Sequence, residues 1–340
     1  MPKKQSYSPP YELNRAMTHS IAEISEAIGR ITAFSESPFP PKLRRENRIK
    51  TIHASLAIEN NTLTLEQVTA IIAGEKVIGD SREIQEVTNA FSSYEVLDNW
   101  TPDSLDDLLA AHALIMKDLT PGAGTLRKGN VGVYSGDRLV HMPPPAEKVP
   151  GLMADLLKWI RETDEHPLVV SCVFHYELEF IHPFADGNGR MGRLWQTLIL
   201  KNWKHVFAWL PVETVIKERQ KEYYSALGES DKAGNSSAFI DFLLRALASA
   251  LSRLPTIDQA SDQVTDQVKA LMKALENRES GTMELMKRLR LTHRPTFRKN
   301  YLSAALQNGF VEMNQPKSPR SPNQRYRLTK KGKQALEKHS

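Results

Sequence analysis

Apolar residues recur at every third or fourth position over most of residues 1–253, which is the spacing of one face of an α-helix. One such stripe consists of Met17, Ile21, Ile24, Ile28 and Ile31. Between Gly122 and Pro145 this spacing fails, and short alternating segments on either side of residues 134–138 predict a β-hairpin. Residues 1–253 are therefore predicted to be mainly α, with one small hairpin.

Composition places the chain among ordinary globular proteins, since 40% of its 340 residues are hydrophobic and 25% are charged. Cys172 is the only cysteine, which excludes an intramolecular disulfide and fits a reducing compartment. The densest apolar stretch, residues 168–174, is too short to cross a bilayer, and residues 1–10 lack the apolar run of a secretory signal. We therefore expect a cytoplasmic protein without a membrane partner.

The excess of positive charge lies at one end of the chain. Residues 261–340 contain 17 Lys and Arg against 7 Asp and Glu, whereas residues 1–260 contain 28 against 33. This asymmetry favours two parts with different partners, and the terminal part suits a polyanion. A basic tail that only aids solubility would have the same composition. Residues 254–268, with Pro255 and Asp-Gln pairs at every fourth position, are predicted to be a linker.

The segment from Ile181 to Arg193 stands apart from the rest of the chain. It reads Ile-His-Pro-Phe-Ala-Asp-Gly-Asn-Gly-Arg-Met-Gly-Arg and lies between two apolar helical stretches. At a helix start, Gly187, Asn188 and Gly189 would present backbone N–H groups and the positive end of the helix dipole to an anion. Without Cβ atoms the two glycines let the backbone approach that anion closely. These features predict a phosphate-binding turn.

The side chains around this turn suit a nucleotide phosphate. Asp186 offers the hard oxygen that Mg²⁺ prefers beside phosphate oxygens and water. Arg190 and Arg193, three positions apart, share a helix face and can each bind a pair of phosphate oxygens. His182 titrates near neutral pH and lies four residues before Asp186, so it can take a proton from an incoming hydroxyl.

Three other interpretations of the segment stay open on the residues alone. A calcium loop contains a similar Asp-Gly-Asn-Gly run, but aligning its central glycine with Gly189 places aromatic residues where it needs carboxylates. A transition-metal site on His175, Glu179 and His182 has helical spacing, although an apolar helix more often buries a hydrogen-bonded histidine. A purely structural glycine turn would not need the histidine, the aspartate and both arginines together.

The segment matches the signature of the Fic family, His-x-Phe-x-Asp/Glu-Gly-Asn-Gly-x-x-x-Arg, at every defined position, and the chain resembles that family over residues 10–250. Fic proteins are helical enzymes that typically transfer AMP from ATP to a Ser, Thr or Tyr hydroxyl of a protein. The resemblance implies a Fic-fold helical bundle with a hairpin flap, an N-terminal helical region at 1–100, a catalytic core at 101–253, and ATP and Mg²⁺ as cofactors. Some relatives transfer phosphate, UMP or phosphocholine, but Gly189 in place of a lysine favours AMP.

The resemblance also implies a role for each residue of the segment. His182 is the implied general base, Asp186 the implied Mg²⁺ ligand, and Gly187, Asn188, Gly189, Arg190 and Arg193 the implied nucleotide-binding residues. Phe184 is expected to anchor the loop in the core. Tyr223 and Tyr224 are implied to wall the adenine, although neighbouring aromatic residues on a helix are more often core. The hairpin, residues 131–141, is implied to dock the backbone of the target protein as an added strand, with an ordinary surface hairpin as the alternative.

An upstream segment, Ser55-Leu-Ala-Ile-Glu59-Asn60, resembles the inhibitory motif of the family, Ser/Thr-x-x-x-Glu-Gly/Asn. Glu59 is implied to pair with Arg193 and so to occupy the group that should bind the γ-phosphate of ATP. A chance Ser-Glu pair one turn apart on a surface helix is the alternative. Some Fic enzymes use the same glutamate to position water and remove AMP, and the sequence leaves the balance of the two directions open.

The end of the chain, residues 269–340, resembles a winged helix-turn-helix domain, in which three short helical segments precede two alternating stretches joined by a basic loop. Residues available to phosphates or base edges are Arg298, Lys299 and Gln307 on the third segment and Lys317, Arg320 and Arg325 in or beside the loop. The alternative function is therefore a DNA-binding regulator that uses the Fic unit as a nucleotide sensor, although winged helices also serve as protein-binding modules. Self-modification and homodimer formation are further expectations from the family resemblance.

Overall fold

The structure is a computed structural model that describes residues 7–32, 39–135, 137–254, 266–276, 278–307, 309–315, 321 and 323–338. The chain divides into two compact units, Met1–Leu254 and Pro255–Ser340. Each unit has a hydrophobic core of its own. Most of the predicted linker, residues 255–265, lies outside the described residues, and the predicted domain boundaries stay predictions.

The first unit is a bundle of helices with one antiparallel hairpin. Its helices are α1 (Arg15–Thr32), α2 (Pro41–Ile58), α3 (Leu65–Ile72), α4 (Ser81–Glu95), α5 (Leu105–Ile115), α6 (Val149–Glu162), α7 (Pro167–Ile181), α8 (Asn188–Trp203), α9 (Val212–Glu218), α10 (Gln220–Ala233) and α11 (Ser237–Ser252), and its strands are β1 (Val133–Ser135) and β2 (Arg138–His141). The predicted mainly α fold with one small hairpin is confirmed. No described helix combines the length and the apolar character that a membrane span requires.

Helix α7 lies at the centre of this bundle. Its residues from Leu168 to Leu178 are all buried, because α6, α8 and α11 pack against it on different sides. A helix that is apolar all round is stable only in such a position. The segment from Ile181 to Arg193 therefore begins at the end of one buried helix and continues into another, α8, which fixes its place in the bundle.

The apolar spacing predicts one helix from about Arg45 to Glu59 and one from Glu213 to Leu227, and the structure differs from both. α2 begins at Pro41, before the predicted start at Arg45, because proline is well tolerated in the first turn, where its missing N–H has no acceptor within the helix. The stretch predicted as one helix from Glu213 to Leu227 forms two, α9 and α10. The break lies at Arg219, whose φ of −108° and ψ of 33° are not helical.

The second unit combines short helices with a three-stranded antiparallel sheet. Its elements are α12 (Asp266–Leu275), β3 (Ser280–Gly281), α13 (Thr282–Arg288), α14 (Arg294–Thr296), a π-helical turn (Phe297–Leu302), α15 (Ser303–Gln307), β4 (Val311–Met313), β5 (Arg325–Leu328) and α16 (Lys330–Lys338), with strand order β3-β5-β4. The winged helix-turn-helix assignment stays a prediction. Lys317, Arg320 and the side chains of Lys299 and Gln307 lie outside the described residues.

Candidate active site

The loop of residues 182–187 joins the end of α7 to the start of α8. Both of its ends adopt a left-handed backbone conformation, with φ of 51° at His182 and 86° at Gly187. Glycine is required at position 187, since a Cβ atom there would be strained and would collide with the side chain of Met116. The loop thereby reverses the chain between two buried helices.

The guanidinium of Arg127, which is buried, fastens the start of this loop. Its Nε donates to the carbonyl of His182 at 2.7 Å, and the backbone N–H of Arg127 donates to the carbonyl of Pro183 at 2.8 Å. The other guanidinium nitrogens donate to the carbonyls of Gly129 and Pro144, which flank the hairpin. Arg127 thus ties the loop to both sides of the hairpin. A single arginine outside the motif gives no sequence signal for this role.

Phe184, Asn188 and His112 form the buried inner face of the loop. The Phe184 ring stacks on the His112 imidazole, with ring centroids 3.7 Å apart. Nδ1 of His112 accepts from the N–H of Gly124 at 2.9 Å, so Nε2 carries the proton and donates to the carbonyl of Asp186 at 3.0 Å. The Asn188 side chain accepts from the N–H of Phe184 and donates to its carbonyl, each at 2.9 Å. Asn188 therefore offers a nucleotide its backbone N–H, since its side chain is committed to the loop.

His182 is held as a neutral base. Its Nδ1 lies 3.3 Å from the carbonyl oxygen of Glu179, which can only accept, so the ring proton belongs on Nδ1 and Nε2 keeps its lone pair. Burial lowers the pKa of His182 to about 4, and the positive charges of His141 and Arg127 act in the same direction. The imidazole is therefore unprotonated at neutral pH, as a general base must be.

Asp186 presents its carboxylate on the open side of the loop, with 44% of the side chain exposed. Oδ1 accepts from the N–H of Gly187 at 2.6 Å and from Arg190 at 3.2 Å, and Oδ2 accepts from Arg82 of α4 at 3.3 Å. Arg190 is buried and also donates to Glu86 of α4 at 3.3 Å. No sequence motif signals Arg82 or Glu86, because each lies 104 residues from its partner in the loop or on α8.

The donor set around Asp186 fits Mg²⁺ bound together with a nucleotide. Within the described part of the chain, no group of three or more histidines, cysteines and carboxylates is placed to hold a metal ion. Mg²⁺ does not need one, because it usually binds one or two carboxylates and takes its other ligands from phosphate oxygens and water. Asp186 can supply that carboxylate.

Arg193 of α8 is only 1% exposed and pairs with the C-terminal end of α2. Its Nη2 donates to Glu59 Oε1 at 2.7 Å and to the carbonyl of Ser55 at 3.1 Å, and its Nε donates to the Ser55 hydroxyl at 2.9 Å. Burial opposes the charge, but the Glu59 carboxylate raises the pKa of Arg193, which stays a cation. Asn60 then turns the chain with φ of 69°, a conformation that asparagine and glycine tolerate best. A Cβ atom at Gly189 would collide with the Glu59 carboxylate, so glycine there lets the pair form.

A cavity of about 680 Å³ opens over the loop. Its lining residues include Glu59, His182, Asp186, Gly189, Tyr223 and Tyr224. Tyr223 is 2% exposed, and its hydroxyl lies 3.2 Å from Nε2 of His175, whereas Tyr224 is 51% exposed. Of the two tyrosines, Tyr224 therefore has more ring surface free for contact with a base.

The alternative transition-metal site is not formed by His175 and Glu179. Nδ1 of His175 lies 2.8 Å from Oε1 of Gln196, and its Nε2 lies beside the Tyr223 hydroxyl, so both ring nitrogens are hydrogen-bonded in the core. Burial raises the pKa of the Glu179 carboxyl to about 7, and the negative charge of Glu59 acts in the same direction. His175 is thus a buried, hydrogen-bonded histidine.

Comparison with known proteins identifies the family. A crystal structure of a Fic family protein from Desulfovibrio desulfuricans is 56% identical to this chain, has a TM-score of 0.73, and matches over 95% of this chain and 99% of that one. The chain belongs to the Fic family. The Fic/DOC family pattern matches residues 102–200, and the pattern described as "Filamentation induced by cAMP protein Fic-like, C-terminal domain" matches residues 266–329. The predicted Fic-fold helical bundle is confirmed.

Two animal proteins share the Fic part of the chain. "Protein adenylyltransferase fic-1" of Caenorhabditis elegans is 28% identical over 253 residues, which are 71% of this chain and 47% of that protein. "Protein adenylyltransferase Fic" of Nematostella vectensis is 28% identical over 246 residues, 69% of this chain and 54% of that protein. The chain therefore spans about half the length of these relatives. A solved structure of C. elegans Fic-1, 24% identical with a TM-score of 0.57, matches 70% of this chain and 71% of that one and shares the fold.

The Fic hairpin borders the cavity and exposes apolar side chains. Tyr134 and Val140 line the cavity and are exposed. His141 anchors β2, since its Nε2 donates to the carbonyl of Phe180 at 2.9 Å and its Nδ1 lies 2.7 Å from the Asp231 carboxylate of α10. Burial favours the neutral ring, but the hydrogen bonds to Asp231 and Phe180 raise the pKa of His141. The hairpin is thereby fixed beside the loop.

Proposed function

We propose that this protein transfers AMP from ATP to a Ser, Thr or Tyr hydroxyl of a protein and releases pyrophosphate. The observation that carries the proposal is the neutral imidazole of His182, whose Nε2 is free for a proton and which lines the same cavity as Asp186 and the glycine-rich start of α8. The printed names of the animal relatives, protein adenylyltransferase, support the same reaction.

In this reaction Nε2 of His182 accepts the proton of the target hydroxyl while the hydroxyl oxygen attacks the α-phosphorus of ATP. A P–O bond to the target forms, the bond from the α-phosphorus to the bridging oxygen breaks, and pyrophosphate leaves. Backbone N–H groups at Asn188 and Gly189 and the charges of Arg190 and Arg193 stabilise the phosphates, whereas the Gly187 N–H donates to Asp186. Mg²⁺ held by Asp186 would supply charge neutralisation when it is bound.

Glu59 is a brake on this reaction in our proposal. Its carboxylate occupies Nη2 of Arg193, while Nη1 of the same guanidinium is buried without a hydrogen-bond partner among the described residues. Arg193 can bind a γ-phosphate with both nitrogens only after Glu59 has left. Leaving a buried cation unpaired costs about 3–5 kcal/mol, an upper bound here because the Glu59 side chain is 33% exposed, so a γ-phosphate must take the place of Glu59 at Arg193. The same glutamate can position water for AMP removal. An intact-mass measurement distinguishes the two reactions, since transfer adds the mass of AMP to the protein and removal takes it away.

The variant Glu59→Gly tests the brake and the activity together. We expect ATP- and Mg²⁺-dependent self-modification to rise by at least tenfold over the wild type, because Arg193 becomes free for the γ-phosphate. Adding His182→Ala to Glu59→Gly removes the base and should abolish the modification. Intact-mass spectrometry checks both, since the added mass identifies the transferred group.

Glu95→Gly is a matched control, because it removes an exposed carboxylate from the end of the neighbouring helix α4. Labelling by this variant should equal that of the wild type. Unchanged labelling in Glu59→Gly would contradict the brake. An added mass other than one adenylyl group would contradict AMP transfer.

The hairpin is the surface where we propose that a target docks. Its two strands form a two-stranded sheet in which each strand has one neighbour, so a further strand can be added at its edge. The exposed apolar residues at this hairpin are Tyr134, Leu139, Val140 and Met142. Homodimer formation stays a prediction from the family resemblance.

A second candidate function belongs to the second unit, where we propose binding of duplex DNA. The observation that favours it is a cavity of about 510 Å³ whose lining places Arg294, Arg298 and polar side chains beside apolar ones. Arg294 and Arg298 are exposed, lie one helical turn apart, and have no carboxylate within ion-pairing distance in the described part of the chain. Two such arginines can contact neighbouring phosphates. Salt-dependent binding of the full chain to duplex DNA tests this function.

A further inference from the structure

Arg82 of α4 lies beside the carboxylate that the proposed reaction assigns to the metal ion. Its Nη2 is 3.3 Å from Oδ2 of Asp186. The first turn of α4, on which Arg82 lies, is fixed by Asp80, whose Oδ1 accepts from the backbone N–H groups of Arg82 and Glu83. The arginine is therefore presented to the loop by a well-capped helix start.

Both oxygens of the Asp186 carboxylate already have a cationic partner in this arrangement. Oδ1 accepts from Arg190 at 3.2 Å and Oδ2 from Arg82 at 3.3 Å. A dication that binds to Asp186 must approach these two guanidinium groups, and like charges at such distances repel one another. One of the two must give way.

The two arginines differ in their freedom to move. The Arg190 side chain is 4% exposed and is held between Asp186 and Glu86. The Arg82 side chain is 54% exposed, its Nη1 donates to the carbonyl of Leu119 at 3.1 Å, and its Nε lies 3.8 Å from Glu86 Oε1. Arg82 can therefore leave Asp186 and keep two acceptors, whereas the buried Arg190 would give up its contacts with both Asp186 and Glu86.

We propose that Arg82 competes with Mg²⁺ for Asp186, so that it stabilises the carboxylate when no nucleotide is bound and sets the Mg²⁺ concentration that nucleotide binding requires. The inference rests on the proposed role of Asp186 as the metal ligand. Besides the Glu59–Arg193 pair, a second contact, Arg82–Asp186, must then be broken before ATP is held productively. This contact lies at the metal-binding carboxylate rather than at the arginine that binds the γ-phosphate.

The experiment measures binding rather than turnover. The full chain with Glu59→Gly, with or without Arg82→Gln, is titrated with the fluorescent nucleotide mant-ATP at a series of free Mg²⁺ concentrations. We expect Arg82→Gln to lower the Mg²⁺ concentration at half-maximal binding by about two- to fivefold, the size expected for loss of a partly exposed ion pair. In EDTA the two proteins should bind the nucleotide equally. Arg245→Gln removes an arginine of similar exposure, paired with Asp241 at 3.0 Å, and should leave the midpoint unchanged.

The outcomes separate this inference from the proposed function. If nucleotide binding depends on Mg²⁺ but its midpoint is unchanged or raised in Arg82→Gln, Arg82 does not compete with Mg²⁺. The proposed function would stand in that case. Weaker binding of that variant in EDTA would show that Arg82 is a phosphate ligand, which also overturns the competition. If the Glu59→Gly protein bound no nucleotide at any Mg²⁺ concentration, the proposed function would fail as well.

Discussion

At the residue scale, the protonation state of His182 depends on the backbone turn that ends α7. The left-handed conformation at this position brings Nδ1 within 3.3 Å of the Glu179 carbonyl and leaves Nε2 for the substrate. Burial then lowers the pKa of the imidazole, so the ring is neutral, and no described residue is hydrogen-bonded to Nε2. An exposed histidine would have lost half of its base form at pH 6.5.

The pH dependence of the reaction follows from this lowered pKa. With Glu59→Gly we expect the rate of self-modification to fall on the acid side with a midpoint below 6.5, the ordinary pKa of histidine, because the buried ring resists protonation. Loss of the Glu59 charge acts in the same direction, since that charge raises the pKa of His182. Initial rates of labelling between about pH 5 and pH 8 measure the midpoint. A midpoint at or above 6.5 would contradict a desolvated base.

Within the loop, the sequence could name the residues but not the contacts that hold them. His182, Asp186 and the glycines carry a contiguous motif, and their residue types point to phosphate chemistry. Arg127 and His112 contact the same loop from positions 55 and 74 residues away along the chain, and neither belongs to a local pattern. Their roles depend on packing between helices, which periodicity alone does not specify.

At the element scale, side chains of α9 and α10 hold the end of α2 in the position from which we propose that Glu59 inhibits. The last carbonyls of a helix have no N–H donor within the helix. At the end of α2, Lys217 Nζ donates to the carbonyl of Ala57 at 2.7 Å and Gln220 Nε2 donates to that of Ile58 at 2.9 Å. Glu59 follows directly as the C-cap. The side chains of Lys217 and Gln220 thereby position the residue that pairs with Arg193.

Lys217→Met should release the brake in part. Methionine keeps the apolar stem of the lysine but removes its cation from the C-terminal end of α2. The interaction of such a cation with the helix dipole is worth about 0.3–1 kcal/mol, so we expect self-modification to rise about two- to fivefold. Mass spectrometry compares this variant with Glu59→Gly, whose increase should be larger. Lys221→Met, an exposed neighbour on α10, is the control and should match the wild type. Equal labelling in Lys217→Met and Lys221→Met would contradict the positioning role.

Helix existence was predictable at this scale, whereas some helix ends were not. The apolar stripes of α1 and α11 and the continuous apolar run of α7 predict helices that the structure confirms, since all three are buried in one core. The break at Arg219 has no proline or glycine to announce it, and β3 has only two residues, too few for an alternating pattern to appear. Both features arise from tertiary packing.

At the scale of the whole molecule, the chain joins two units whose cores share no residues and whose charges have opposite sign. The first contains the Fic loop and Glu59, the proposed brake. The second has basic residues that differ in their pairing: Arg327 of β5 contacts Glu312 at 2.6 Å and Glu279 at 3.5 Å, whereas Arg298 has no such partner in the described part of the chain. Charge composition predicted the asymmetry between the units, but only the structure separates neutralised arginines from available ones.

This difference between paired and unpaired arginines gives a test of DNA binding. If the second unit binds duplex DNA, the logarithm of the affinity of the full chain should fall linearly with the logarithm of the salt concentration, because each neutralised phosphate releases counterions. Arg298→Gln should weaken binding and make that slope shallower by about 1, the loss of one phosphate contact. Arg327→Gln removes a charge that two carboxylates already offset, so it should change the slope much less. Fluorescence anisotropy with one labelled duplex across a salt series measures all three proteins, and equal slopes for Arg298→Gln and the wild type would exclude this surface as the DNA contact.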